Sequence, residues 1–174
     1  MEKVEKKMRW DVLAEIINEF DLKTGVEVGA KAGQNIKNVL LKCPNFSFIG
    51  VDHWDNKIKY QTWSPALQTV NEKRFDGVCK EFPTRTKKFK YMSDKAVGFF
   101  EDKSLDLVFI DACHDFYEVY NDILIWLPKI KDGGFICGHD YDHPKIGNVK
   151  GAVDFHFDGQ IIGLFEDYVW ALRV

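Results

Sequence analysis

The chain has 174 residues, 45% hydrophobic and 29% charged, a globular composition that suits one domain over 1–174 and excludes disorder. A net charge of −3 lacks the basic surplus that a phosphate backbone demands, which argues against a nucleic-acid partner. No apolar run approaches the roughly 18 residues of a membrane span, and the opening MEKVEKKMRW has no signal-peptide core, so no membrane partner and a cytoplasmic location are expected.

Residues 5 to 20 carry Trp10, Leu13, Ile17 and Phe20 at helical spacing. A short strand, 25–29, then runs into a glycine turn, and Ile36, Val39, Leu40 and Cys43 mark the buried face of the helix that follows. Phe46 to Asp52 is apolar nearly throughout, as a parallel strand covered on both faces must be. Residues 53 to 65 read as a loop rich in aromatics (Trp54, Tyr60, Trp63), before a helix over about 65 to 80. A third strand is expected over Lys88 to Met92, a short helix over 94 to 100, and a fully apolar fourth strand from Leu105 to Ile110. Val119, Ile123, Trp126, Leu127 and Ile130 predict a helix that Asp132-Gly133-Gly134 stops, with a fifth strand over Phe135 to Gly138. Ile161 to Phe165 and Tyr168 to Leu172 form a closing antiparallel hairpin around Glu166-Asp167. This alternation predicts an α/β fold, a mostly parallel sheet with helices on both faces.

In such sheets ligands bind beyond the carboxyl ends of the strands. Gly29, Asp52, Ser93-Asp94, Asp111 and His139-Asp140 all fall at those ends and should converge on one edge. Glu27-Val28-Gly29-Ala30-Lys31-Ala32-Gly33 places two glycines in the first strand-to-helix turn, where they permit a tight bend and close approach of a ligand. The spacing is not the GxGxxG of dinucleotide binders, which weakens a phosphate cradle. Asp52, some twenty residues on, is placed to accept both hydroxyls of a ribose. Ser93 and Asp94 would lie along an adenine edge, His53 could touch the same ligand, and Trp54 either stacks on the base or belongs to the core. Cys43, Cys79, Cys113 and Cys137 show no CxxC spacing and read as reduced thiols, two of them within apolar runs.

Glu27, Gly29 and Gly33 with Asp52 resemble the class I S-adenosylmethionine-dependent methyltransferases. The resemblance covers about residues 22 to 174 and implies a Rossmann-like three-layer sandwich, a seven-stranded mostly parallel sheet with an antiparallel C-terminal strand. It also implies that the glycine turn, Ala30 included, receives the methionine part of S-adenosyl-L-methionine and that Asp52 holds the ribose. Leu105-Asp106-Leu107-Val108-Phe109-Ile110-Asp111-Ala112-Cys113-His114 is similar to the LDLVFIDxxH segment of small sugar and antibiotic O-methyltransferases. Trp126-Leu127-Pro128, Gly138-His139-Asp140-Tyr141 and the helical VKGAVDF at 149–155 continue the likeness. One local departure is Asp115-Phe116-Tyr117-Glu118, which aligns Tyr117 with a glutamate of the family and leaves Glu118 outside the site.

The frame is also similar to metal-dependent O-methyltransferases. There the resemblance implies Asp111, His139 and Asp140 as metal ligands, with Asp111 also bordering the cofactor, and His114 as general base. Oxygen ligands favour Mg²⁺, whereas the imidazole of His139 turns preference toward Mn²⁺ or Fe²⁺. The acceptor implied is a hydroxyl of a small molecule or glycan, gripped by loops 53–63 and 141–149 or by a second subunit of a homo-oligomer. His143 reads as a loop residue and His156 as packing. Three other readings remain: an NAD-dependent oxidoreductase without its glycine pattern, a metal hydrolase that leaves Gly29, Gly33 and Asp52 idle, and a non-catalytic nucleoside-binding module. A nucleic-acid base methyltransferase would need an Asn-Pro-Pro-Tyr type motif that the sequence lacks.

Overall fold

The computed structural model describes residues 6–55, 65–160 and 162–174. Tyr60, Trp63 and Ile161, expected in a loop and in the closing hairpin, lie outside the described residues; the first helix, read from residue 5, starts at Arg9, and residues 6–8 before it are not helical. The elements run α1 (Arg9–Glu19), β1 (Thr24–Val28), α2 (Gln34–Lys42), β2 (Ser47–Asp52), α3 (Pro65–Glu81), β3 (Lys88–Lys90) and α4 (Ser93–Ala96). They continue with β4 (Leu105–Ile110), α5 (Phe116–Trp126), β5 (Ile130–Gly138), α6 (Val149–His156), β6 (Gly163–Leu164) and β7 (Trp170–Arg173). The sheet has seven strands in the order β3-β2-β1-β4-β5-β7-β6. Neighbours pair in parallel from β3 through β5, and β7 pairs antiparallel with both β5 and β6. The Rossmann-like sandwich with an antiparallel closing strand is thus the observed fold.

Because successive strand residues face opposite ways, β4 feeds two cores. Leu107 and Phe109 join Leu13, Ile17, Ile36, Phe48 and Phe75 on one side. Val108 and Ile110 join Ile123, Trp126 and Trp170 on the other. Each such fully buried side chain contributes about 1.5–3 kcal/mol relative to exposure, which is why the positions of β4 that face the two cores are all apolar.

Several expected boundaries shift. The helix read as running to Ile130 ends at Trp126, because Pro128 lacks an amide hydrogen and crowds the turn before it; Leu127–Lys129 tighten into a 3₁₀ turn. Ile130 therefore opens β5 and pairs with Leu105, and the next paired residues are Leu107 and Phe135. Lys131 to Gly134 form a bulge, with Gly133 at φ +83°, so the double glycine interrupts a strand rather than stopping a helix. The third strand is also shorter than read: it ends at Lys90, and Ser93 and Asp94 open α4.

Candidate functional site

The carboxyl edge of β1, β2, β4 and β5 gathers most of the expected residues. Gly29 leaves β1 with φ +95°, and a side chain there would collide with the carbonyl oxygen of Asp111 at the end of β4. Gly33 precedes α2 with φ +75°, and a Cβ would stand 2.7 Å from the Phe75 ring. Both glycines are therefore demanded by turn conformation and by the protein's own packing, quite apart from any ligand. Ala30 is buried in the turn and donates its N–H to the Val51 carbonyl at 3.1 Å.

Asp52 ends β2 and accepts the N–H of Lys31 at 2.8 Å and that of Trp54 at 3.1 Å, one on each oxygen. The carboxylate thereby ties the end of β2 to the glycine turn, and each oxygen keeps a lone pair for a further donor. Trp54 proves to be a core residue: it is buried, packs 5.0 Å from the Phe75 ring and donates Nε1–H to the Lys31 carbonyl at 2.7 Å. His53 accepts the Asp55 N–H on Nδ1 at 2.8 Å. An open groove of about 540 Å³ follows, lined by His53, Trp54, Glu72, Lys90 and Tyr91.

Ser93 does not face that groove as an adenine partner would. Its hydroxyl donates to Asp122 and accepts Nε1–H of Trp126 at 2.8 Å, fastening α4 to α5. Asp94 is exposed beside Lys95. Beneath the glycine turn, Glu27 is buried and accepts the Asn35 amide at 3.1 Å, while its Oε2 and Asn35 Oδ1 have no partner. Burial first, and then the nearby Asp111 carboxylate, push the Glu27 carboxyl well above the usual range.

The ends of β4 and β5 form the second half of the site. Asp111, His139 and Asp140 each offer a ligand atom, all within 4.8 Å of one another. Asp140 sits at φ +60°, an unusual backbone state of the kind that tertiary contacts hold at working sites. Its Oδ2 lies 2.8 Å from His114 Nε2 and its Oδ1 2.9 Å from His139 Nδ1. The second approach is close but misaligned, so both ring nitrogens of His139 are buried without a hydrogen bond. Burial opposes ionisation of Asp140, yet the imidazoles of His114 and His139 outweigh it and hold the carboxyl well below its ordinary value. Asp111 is raised, because burial exceeds the relief from Arg9 and His139. His114 is raised by its bond to Asp140, against the effect of burial.

Two members of this cluster were not foreseen. Arg9, the first residue of α1, pairs with Asp111, and Asp167 lies 3.5 Å from His139 Nε2. Nothing in the pattern around Arg9 marks it. Asp167 was findable: an antiparallel β7 must begin at the edge where the parallel strands end, which puts the turn before it beside Asp111. His143 packs edge-on against Tyr168, and His156 packs against Tyr120 and Phe157, as expected of a loop and a packing histidine. Cys43 and Cys137 are buried thiols, Cys79 is half-buried and Cys113 exposed; all four are free. Among the described residues no helix is long and apolar enough to cross a membrane.

Comparison with known proteins agrees with this fold. No curated protein matches the chain. Solved structures match closely in fold at low identity. A Staphylococcus aureus protein provisionally described as a caffeoyl-CoA O-methyltransferase superposes with a TM-score of 0.69 at 11% identity, over 98% of this chain and 85% of that one. The O-methyltransferase NovP gives 0.65 at 12%, over 95% and 78%. The O-methyltransferase TomG of Streptomyces achromogenes, solved in complex with SAM, gives 0.64 at 13%, over 95% and 79%. A family model described as a methyltransferase domain matches residues 26–141, more than half of the sequence and from the first strand to the turn after His139-Asp140. The chain belongs to that methyltransferase family.

Proposed function

We propose that the chain is an S-adenosylmethionine-dependent O-methyltransferase acting on a hydroxyl of a sugar, glycan or related small molecule, with a divalent cation at the ends of β4 and β5. The observation that carries the reading is the His114–Asp140 pair beside Asp111 and His139, at the sheet edge that also holds Gly29 and Asp52. The unpartnered Glu27 Oε2 and Asn35 Oδ1 beneath the glycine turn, and the spare lone pairs of Asp52, fit the amino and ribose groups of the cofactor. One imidazole with free nitrogens and two carboxylates fit a divalent ion such as Mn²⁺ or Mg²⁺. The fold likeness to O-methyltransferases, one of them solved with SAM, supports the same assignment.

Bound S-adenosylmethionine supplies a methyl group on a positively charged sulfur, and a divalent cation lowers the pKa of a hydroxyl that it touches. The chain's own part is positioning and proton transfer. Glu27, Gly29, Ala30 and Asp52 would hold the methyl donor, and Asp111, His139 and Asp140 the cation. Asp140 fixes the His114 ring through Nε2, which leaves Nδ1 to take the acceptor's proton as the new oxygen–carbon bond forms. The carboxylate also makes that imidazole a stronger base.

The test is methyl transfer from S-adenosylmethionine to panels of sugars and phenols, with chelator, Mg²⁺ or Mn²⁺. His114→Ala should lower kcat by about 10²–10⁴-fold with unchanged cofactor binding. The wild-type rate should fall on the acid side, as the His114 imidazole takes up a proton and can no longer accept one. Full activity in the metal-stripped protein would remove the cation, and wild-type turnover in His114→Ala would remove the base.

A further inference from the structure

Asp111 is already paired in this structure with a side-chain cation delivered by the first helix. The Arg9 guanidinium bonds Asp111 Oδ2, its Nε lies 3.6 Å from Asp167 Oδ2, and its backbone N–H donates to that same Asp167 oxygen at 2.9 Å. The Arg9 side chain is 26% exposed and that of Asp111 15%, so the pair is largely shielded from water. His139 stands between Asp167 on one side and Asp111 and Asp140 on the other, with both ring nitrogens buried and unbonded.

We propose that Arg9 is a built-in counter-ion that competes with a divalent cation for Asp111, and that it retreats onto Asp167 when the cation binds. The inference rests on Asp111, His139 and Asp140 being a cation site. A guanidinium and a metal ion repel each other in a shielded space, so each weakens the other's hold on a shared carboxylate. Left alone, however, Asp111 would be a buried uncompensated charge, which is costly. Arg9 offsets part of that cost in the metal-free protein. Asp167 makes the exchange feasible, because the backbone N–H of Arg9 is anchored there and only the side chain has to turn. The Arg9 charge then stays paired in both states. It follows that α1 is coupled to the occupancy of the site through its first residue, and that the native affinity for metal is set low by the chain itself.

Calorimetric titration of Mn²⁺ alone into the wild type, Arg9→Met and Arg9→Lys tests this, with circular dichroism confirming that each is folded. Arg9→Met should bind Mn²⁺ about ten- to a hundredfold more tightly than wild type, the span that corresponds to releasing one hydrogen bond to a charged group. Arg9→Lys, which keeps the charge, should stay near wild type, and the contrast between a tighter Arg9→Met and an unchanged Arg9→Lys is what a merely structural Arg9 would not give. Binding by Arg9→Met that is equal to or weaker than wild type would overturn the competition while leaving the cation site standing. Absence of Mn²⁺ binding in wild type and Arg9→Met alike would overturn the site and the competition together. Arg9→Gln replaces Arg9→Met if the apolar variant does not fold.

Discussion

Asp122 offers the sharpest test of how the two helices behind the groove are joined. It is buried in α5, accepts the Ser93 hydroxyl, and its carboxyl is pushed up to about 6 by burial, with smaller contributions from Glu118 and Asp94. Between the ordinary value of 3.8 and about 6 the folded protein holds a proton that the unfolded chain has released. Stability therefore falls as pH rises through that window and stays lower above it. At about 1.4 kcal/mol for each tenfold in proton activity, the full penalty is about 3 kcal/mol at neutral pH. Asp122→Asn keeps an acceptor for Ser93 and cannot ionise, so it should stabilise the protein by about 1–3 kcal/mol at pH 7 and by little near pH 4. Urea denaturation followed by circular dichroism from pH 4 to 8 measures this. A variant less stable than wild type at pH 7, or a difference that does not change with pH, would refute the argument.

Asp52→Ala should weaken S-adenosylmethionine binding by about 1.5–3 kcal/mol in calorimetry, the range for hydrogen bonds to a charged group, and unchanged affinity would take Asp52 out of the site. Gly29→Ala, which forces a side chain against the Asp111 carbonyl at φ +95°, should lower the thermal midpoint and disturb cofactor and metal binding together; a stable variant with normal binding would contradict the turn's role. Trp54→Phe should retain the ring contact with Phe75 but lose the bond to Lys31, costing about 0.5–1.5 kcal/mol in urea unfolding, and a loss confined to cofactor affinity would return Trp54 to the base-stacking role.

The alternation of strands and helices could be read because buried parallel strands must be largely apolar and end on polar residues; Leu105–Ile110, apolar but for Asp106 and followed by Asp111, is the clearest instance. The error at Ile130 arose because helical periodicity continues smoothly through Leu127 and Ile130, while the break depends on one proline that the periodicity does not register. Ser93 was placed at the right edge of the sheet but facing the wrong way, since a position near a strand end does not say whether a side chain turns toward ligand or toward the next helix. Arg9 stayed hidden for a simpler reason. Its partners Asp111 and Asp167 lie 102 and 158 residues away, and no local pattern reports a contact of that span.

That span also bears on when the site comes into being. Asp111, His114, His139 and Asp140 fall within thirty consecutive positions and can approach one another once β4 and β5 pair. Asp167 arrives only when β7 has inserted between β5 and β6, and Arg9 meets it only after the first helix has closed across the sheet. On the proposed reading of Asp111, His139 and Asp140 as a cation site, a chain folded only as far as β5 would present Asp111 without its arginine and should take up metal more readily than the finished protein. Refolding in the presence of Mn²⁺ should consequently be slower than refolding in chelator, by an amount that vanishes when Arg9 is replaced.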